Sequence, residues 1–289
     1  MPKKPEKSTP DLSVVQESFS GILLAHWEEL LRLRRVVLKT SDLDDIHDLR
    51  VASRRFRAVL DLYRRLSSKS PKSGVNKSVR KLTRTLGGLR NLDEARVFFQ
   101  DRTGTDTFAD SVLGRTLSGL RSREVKRIGK ALISFEHRKL DRIVRKMVAR
   151  LNLDRITERS DLSIPTIFSE VSAGMYRPIQ EALPVSTIPG HRAERHSLRI
   201  AIKKWRYFLE ITAQVLERDY STVLEQLKEY QSYLGRMNDI VEFEILLRGL
   251  ELPKSELEHA QAILVAEDAS LLAGFRALAE RNPLKHHDL

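Results

Sequence analysis

Two stretches of the chain, 149 residues apart, are variants of one another. HDLRVASRRFRAVLD at 47–61 and HSLRIAIKKWRYFLE at 196–210 share six identities in fifteen positions: His, Leu, Arg, Ala, Arg and Leu. Five more positions are close exchanges: Val51/Ile200, Arg54/Lys203, Arg55/Lys204, Phe56/Trp205 and Asp61/Glu210. A second match follows in the same order at an offset of 148, LGGLRNLDEA at 86–95 over LGRMNDIVEF at 234–243. Two matches that keep nearly one separation imply a duplicated unit. The period is far longer than that of solenoid repeats, so each half is expected to carry its own core.

The pattern within each half is helical. From Leu12 to about Lys39, Val15, Phe19, Ile22, Leu23, Trp27 and Leu30 recur at i, i+3 and i+4 spacing, the signature of an amphipathic helix. Ser41 and Asp42 are candidate N-caps of a second helix that runs to about Ser67, with Asp44 and Asp45 in its first turn. Further helices are predicted near 75–87, 91–101, 106–131, 134–152, 165–183, 191–217, 220–235, 238–249 and 254–281. The breaks fall at LGG (86–88), DRTGTD (101–106), Pro184, Pro189 and Pro253. Alternating strand patterns are absent, so the fold class is all-α, two helical bundles. The expected boundaries are a flexible tail at 1–12, a first bundle at 13–153, a second at 160–282 and a tail at 283–289.

Placed on a helix at about 100° per residue with His47 at zero, Arg54, Arg50, Arg57 and Arg64 fall within about 80° of arc, between roughly 260° and 340°. Ala52, Phe56, Val59, Tyr63 and Leu66 fall between about 100° and 180°, and Arg55 stands apart from the other arginines. One stripe is core and one is basic. The second copy repeats this with His196, Arg199, Lys203 and Arg206 beside Ala201, Trp205 and Phe208. Like charges one turn apart repel by a few tenths of a kcal/mol per exposed pair, so a stripe kept in both copies points to an anionic partner.

Charge is uneven along the chain. Residues 1–150 hold 34 basic and 18 acidic side chains, and 151–289 hold 17 and 21, which together make the net +12. Arginine's planar fork suits phosphate oxygens, and a row of cations spaced by about 5.4 Å per turn suits a linear polyanion. Lys77, Arg80 and Arg84 share a side of the next helix, and Arg90 follows at the LG turn. Their counterparts are poorer: Lys228 aligns with Arg80, Ser232 with Arg84 and Asn238 with Arg90. The basic run Arg138–Arg150 has no such counterpart and reads as a solvated face.

Several classes are disfavoured. No cysteine is present, which removes disulfides, thiolate metal sites and cysteine nucleophiles. His47 and His196 lack a second ligand at metal-binding spacing, since His191 precedes His196 by five residues; no metal and no cofactor are expected. Donation to a phosphate oxygen, strengthened when the ring is protonated, is the simpler role for both histidines. No apolar run is long enough to span a membrane, and MPKKPEKSTPDL lacks the apolar core of a secretory signal, so a cytoplasmic, membrane-independent protein is expected. Two rival readings stay open. A nucleic-acid binder fits the pI of about 9.9, although aromatic residues make up only 6% of the chain and offer no evident stacking platform. A metal-dependent phosphate-processing enzyme would draw on Asp44, Asp48 and Asp93.

The doubled motifs, H47-D-L-R50-V-A-S-R54-R55-F-R57 with L86-G-G-L-R90-N-L-D93, and H196-S-L-R199-I-A-I-K203-K204-W-R206-Y207 with L234-G-R-M-N238-D239-I240, resemble the CHAD family, the conserved histidine α-helical domain. The resemblance spans about residues 14–282. It implies two helical bundles related by approximate two-fold symmetry around a basic channel that binds inorganic polyphosphate without catalysis, with polyphosphate granules as the location it would target. Carried over residue by residue, the channel-lining role falls on His47, Arg50, Arg54, Arg57, Arg84, Arg90, His196, Arg199, Lys203 and Arg206, with Lys77 and Arg80 beside them. Asn91 and Val241 stand where the family often has Asp.

Overall fold

The computed structural model describes residues 11–40, 42–67, 73–159 and 161–286. Among these residues there are eleven α-helices and no strand: α1 (Leu12–Thr40), α2 (Leu43–Leu66), α3 (Ser73–Thr103), α4 (Thr105–Asp110), α5 (Val112–Ile133), α6 (His137–Val148), α7 (Asp154–Thr157), α8 (Ile164–Ser186), α9 (Arg192–Val215), α10 (Ser221–Arg248) and α11 (Lys254–Arg281). Ser41, named above as a candidate cap, and residues 1–10 of the expected N-terminal tail lie outside the described residues. Of the expected tail at 283–289, residues 283–286 are described: Leu284 is buried, and its carbonyl accepts from Tyr176 Oη at 2.7 Å.

The apolar stripes make the core. Ala52, Phe56, Val59, Tyr63 and Leu66 of α2 are all buried, as are Ala201, Trp205 and Phe208 of α9. Each burial of a large apolar side chain contributes about 1.5–3 kcal/mol, so the stripes set which face of each helix turns inward. Trp27 lies 5.1 Å from Phe56, centroid to centroid, and its indole N–H donates to Asp141 at 2.9 Å. Trp205 lies 4.9 Å from Tyr176, and its indole N–H donates to Ser172 at 3.0 Å. Both indoles are fully buried with their one donor satisfied.

The neighbour order repeats along the chain. α1 packs on α2, α2 on α3 and α3 on α5; α8 packs on α9, α9 on α10 and α10 on α11. α2 also lies against α9, and α3 against α10. The two similar sequence segments are therefore neighbours in space.

Several predicted boundaries move. LGG does not break a helix: α3 is continuous through Gly87 and Gly88, replacing the segments expected at 75–87 and 91–101, and α10 runs through Gly235, joining 220–235 to 238–249. Two helical glycines cost about 2 kcal/mol of propensity, which burial of Leu86, Leu89 and Leu92 on the same helix outweighs. Gly88 has a packing reason, since a Cβ there would lie 3.0 Å from the Glu124 and Arg127 side-chain ends of α5. Pro184 does not end a helix either. α8 continues to Ser186 through Pro178 and Pro184, each forgoing one backbone bond, while fully buried Ile179 holds this end of the helix on the core. The segment expected at 106–131 is divided into α4 and α5, where Ser111 accepts from Gly114 N–H and caps the second piece.

Candidate anion-binding site

The face-to-face packing of α2 and α9 brings the two basic stripes together. Arg50, Arg54, Arg57, Arg199, Lys203 and Arg206 are all half-buried, whereas Arg55 is exposed on another side of α2. The charges act on one another across the helices. Burial pushes the Lys203 ammonium down to about 6, and repulsion from Arg199, Arg54, Arg50 and Arg90 adds to it. Burial likewise pushes Arg50 down to about 10, with Arg54, Arg90 and Arg199 contributing. Arg199 is lowered by burial and by Arg54 and Arg90, with Asp239 opposing. Three helices thus converge on one cationic centre.

The row continues toward the C-terminal end of α2. Arg57 is lowered by burial first, then by Arg80, Arg54, Arg84 and Arg64, which places the α3 arginines beside it. Arg64 ion-pairs with Asp61 one turn back. Of the expected α3 residues, Arg80 and Arg84 come beside Arg57; Lys77 and His47 are exposed at the starts of α3 and α2 and are not among the cations that weigh most on Arg57 or Lys203.

The row is short of hydrogen-bond acceptors. The Nε–H groups of Arg50, Arg57 and Arg199 are buried with no hydrogen-bond partner. A buried donor left unmade costs about 1–3 kcal/mol, more when charged, and arginine forks are normally satisfied. With Arg206 Nε, which also lacks a hydrogen bond, four such groups lie on the facing helices α2 and α9.

Three of the expected site residues are differently engaged. Arg90 donates two hydrogen bonds to Asp239, at 2.8 and 3.0 Å, in a fork-to-carboxylate pair between α3 and α10. Burial works against its charge, but Asp239, with Glu94 and Glu242, outweighs that and raises its pKa. Arg206 Nε lies 3.2 Å from Glu210 Oε1, off the angle of a hydrogen bond. His196 is exposed, and its Nδ1–H donates to Asn238 Oδ1 at 2.9 Å, which leaves Nε2 to face solvent or a ligand.

Sequence reasoning misses Tyr207 and Asp239. Tyr207 is buried with the Arg54 guanidinium 5.7 Å and the Arg206 guanidinium 5.3 Å from its ring centre, a contact that orients both cations. Its counterpart in the first copy is Ala58, so the repeat carries no signal for it. Asp239 is a buried acid whose partner is visible only once α3 and α10 are placed together. Asp93, one of the candidate metal-binding acids, accepts from Arg121 Nε at 2.8 Å.

The sequence profile of the CHAD domain matches residues 21–248. The fold is similar to that of the crystal structure of the CHAD domain from the plant Ricinus communis, with a TM-score of 0.73 and 21% identity over 99% of each chain. It is also similar to PptA from Streptomyces chartreusis, with a TM-score of 0.68 and 16% identity over 92% of this chain and 98% of that one. No curated protein matches the chain by sequence.

Proposed function

Because the chain belongs to the CHAD domain family, we propose that it binds inorganic polyphosphate along the row formed by Arg50, Arg54, Arg57, Arg199 and Lys203, without turning it over. The observation that carries this reading is the set of buried, unpartnered Nε–H donors at Arg50, Arg57 and Arg199, within a cluster whose charges depress one another. A chain of phosphates supplies acceptors to these half-buried guanidinium groups and negative charge to the cluster at once, so repulsion within the row becomes attraction in the complex. Arg80 and Arg84 extend the row on α3. His196, oriented by Asn238, adds a ring nitrogen at the opposite end.

The test is a titration of long-chain polyphosphate against the wild type and the Arg50→Ala/Arg199→Ala variant, with circular dichroism confirming the fold. Two charge-assisted contacts at about 1.5–3 kcal/mol each correspond to a loss of roughly a hundredfold or more in affinity; unchanged affinity overturns the reading. Single-stranded DNA at matched phosphate concentration is expected to displace polyphosphate poorly, and ready displacement would favour a nucleic-acid partner. Incubation with Mg²⁺ is expected to release no phosphate. Because any polyanion releases counterions on binding, affinity falls with salt in every case, and salt sensitivity does not discriminate.

A further inference from the structure

At the C-terminal end of the row, α2, α8 and α9 enclose a cavity of about 490 Å³, within the range of about 300–1,000 Å³ typical of small-molecule sites. Its lining is of two kinds. Leu62, Met175, Ile200 and Phe208 are its apolar lining, and Arg64, Arg65 and Lys204 join Arg57 and Lys203 as its cations. Ile200 is 40% exposed, a large apolar side chain left open among cations.

An inorganic phosphate chain gains nothing from the apolar lining. A ligand with a flat apolar body and an oligophosphate tail uses both parts: the body covers Ile200 and Met175 and stacks on guanidinium planes, and the tail runs onto the cationic row. Asp61, paired with Arg64, also lines the cavity and offers an acceptor to ribose hydroxyls. We propose that this cavity receives the nucleoside end of a nucleoside polyphosphate whose phosphates lie on Arg57, Arg54 and Lys203. The proposal rests on the reading of the row as a phosphate site and adds the class of organic group attached to the phosphate.

Calorimetric titration of ATP and of inorganic tripolyphosphate, both without divalent metal, tests it. Tripolyphosphate carries at least as much negative charge, so electrostatics alone ranks it first or equal. ATP is expected to bind about tenfold more tightly, which requires burial of only about 55 Å² of apolar area. Ile200→Ser is expected to bring ATP down to the level of tripolyphosphate and leave tripolyphosphate unchanged. Equal or weaker binding of ATP by the wild type overturns the inference, as does a variant that loses both ligands alike. In either case long-chain polyphosphate still binds if the functional reading holds; if it too fails to bind, both fall.

Discussion

At the scale of single residues, Lys203 carries the sharpest consequence. Its folded pKa, pushed down to about 6, lies far below the ordinary lysine value of 10.5. The unfolded chain therefore binds more protons than the folded one between these limits, and this group makes the protein more stable as pH rises through that window. Polyphosphate reverses the balance by favouring the charged ammonium. Binding at pH 8 is expected to take up close to one proton, and affinity to fall as pH rises from 6 to 8. Calorimetry in two buffers of different ionisation enthalpy measures the uptake, and Lys203→Met is expected to remove most of it. Arg50 and Arg54 on α2, Arg90 on α3 and Arg199 on α9 are the cations around it, and none changes charge in that range. The identity of this residue as part of the row is legible in the sequence, because helical spacing alone puts Arg54, Arg50 and Arg57 on one side of α2 and Lys203 with Arg199 on one side of α9. Its depth is not legible, because that depends on how closely α2 and α9 approach.

At the scale of elements, periodicity locates α1, α2, α9 and α11 to within a few residues, since each keeps its apolar positions on one face for at least six turns. It fails where a local signal competes with packing. Glycines after leucine read as breaks, yet α3 holds its buried leucines in register through Gly87 and Gly88, and α10 through Gly235. Gly87 shows the difference from Gly88, because a Cβ at Gly87 would meet nothing within 4 Å. Gly87→Ala is therefore expected to stabilise the protein by about 0.5–1 kcal/mol, measured as a higher midpoint of urea unfolding at unchanged slope. A midpoint that falls would mean that the helix at LGG needs glycine's freedom.

At the scale of the whole molecule, the contact between α3 and α10 ties early and late parts of the chain together. Arg90 pairs with Asp239, Asn91 donates to Glu242 at 3.0 Å, and Phe98 and Phe99 pack against Phe243. Asp239 also supplies negative charge beside a crowded cationic centre. Asp239→Asn removes that charge and leaves Arg90, in a largely buried position, with only its longer pair to Glu94 at 3.4 Å. A loss of about 2–4 kcal/mol in stability is expected, together with tighter polyphosphate binding, because Arg90 is released to the row. Thermal unfolding with and without polyphosphate checks both: the variant should melt lower alone and gain more from the ligand than the wild type. The motif containing Asp239 is legible in the sequence, but its pairing is not, since no local pattern specifies a partner 149 residues away. Trp27 and Trp205, the chain's two tryptophans, stand on either side of that contact, one in the α1–α2–α3 set of helices and one in α8–α9–α10. They are built-in fluorescent reporters, and a chain keeping only one of them reveals whether the two sets of helices melt together or in turn.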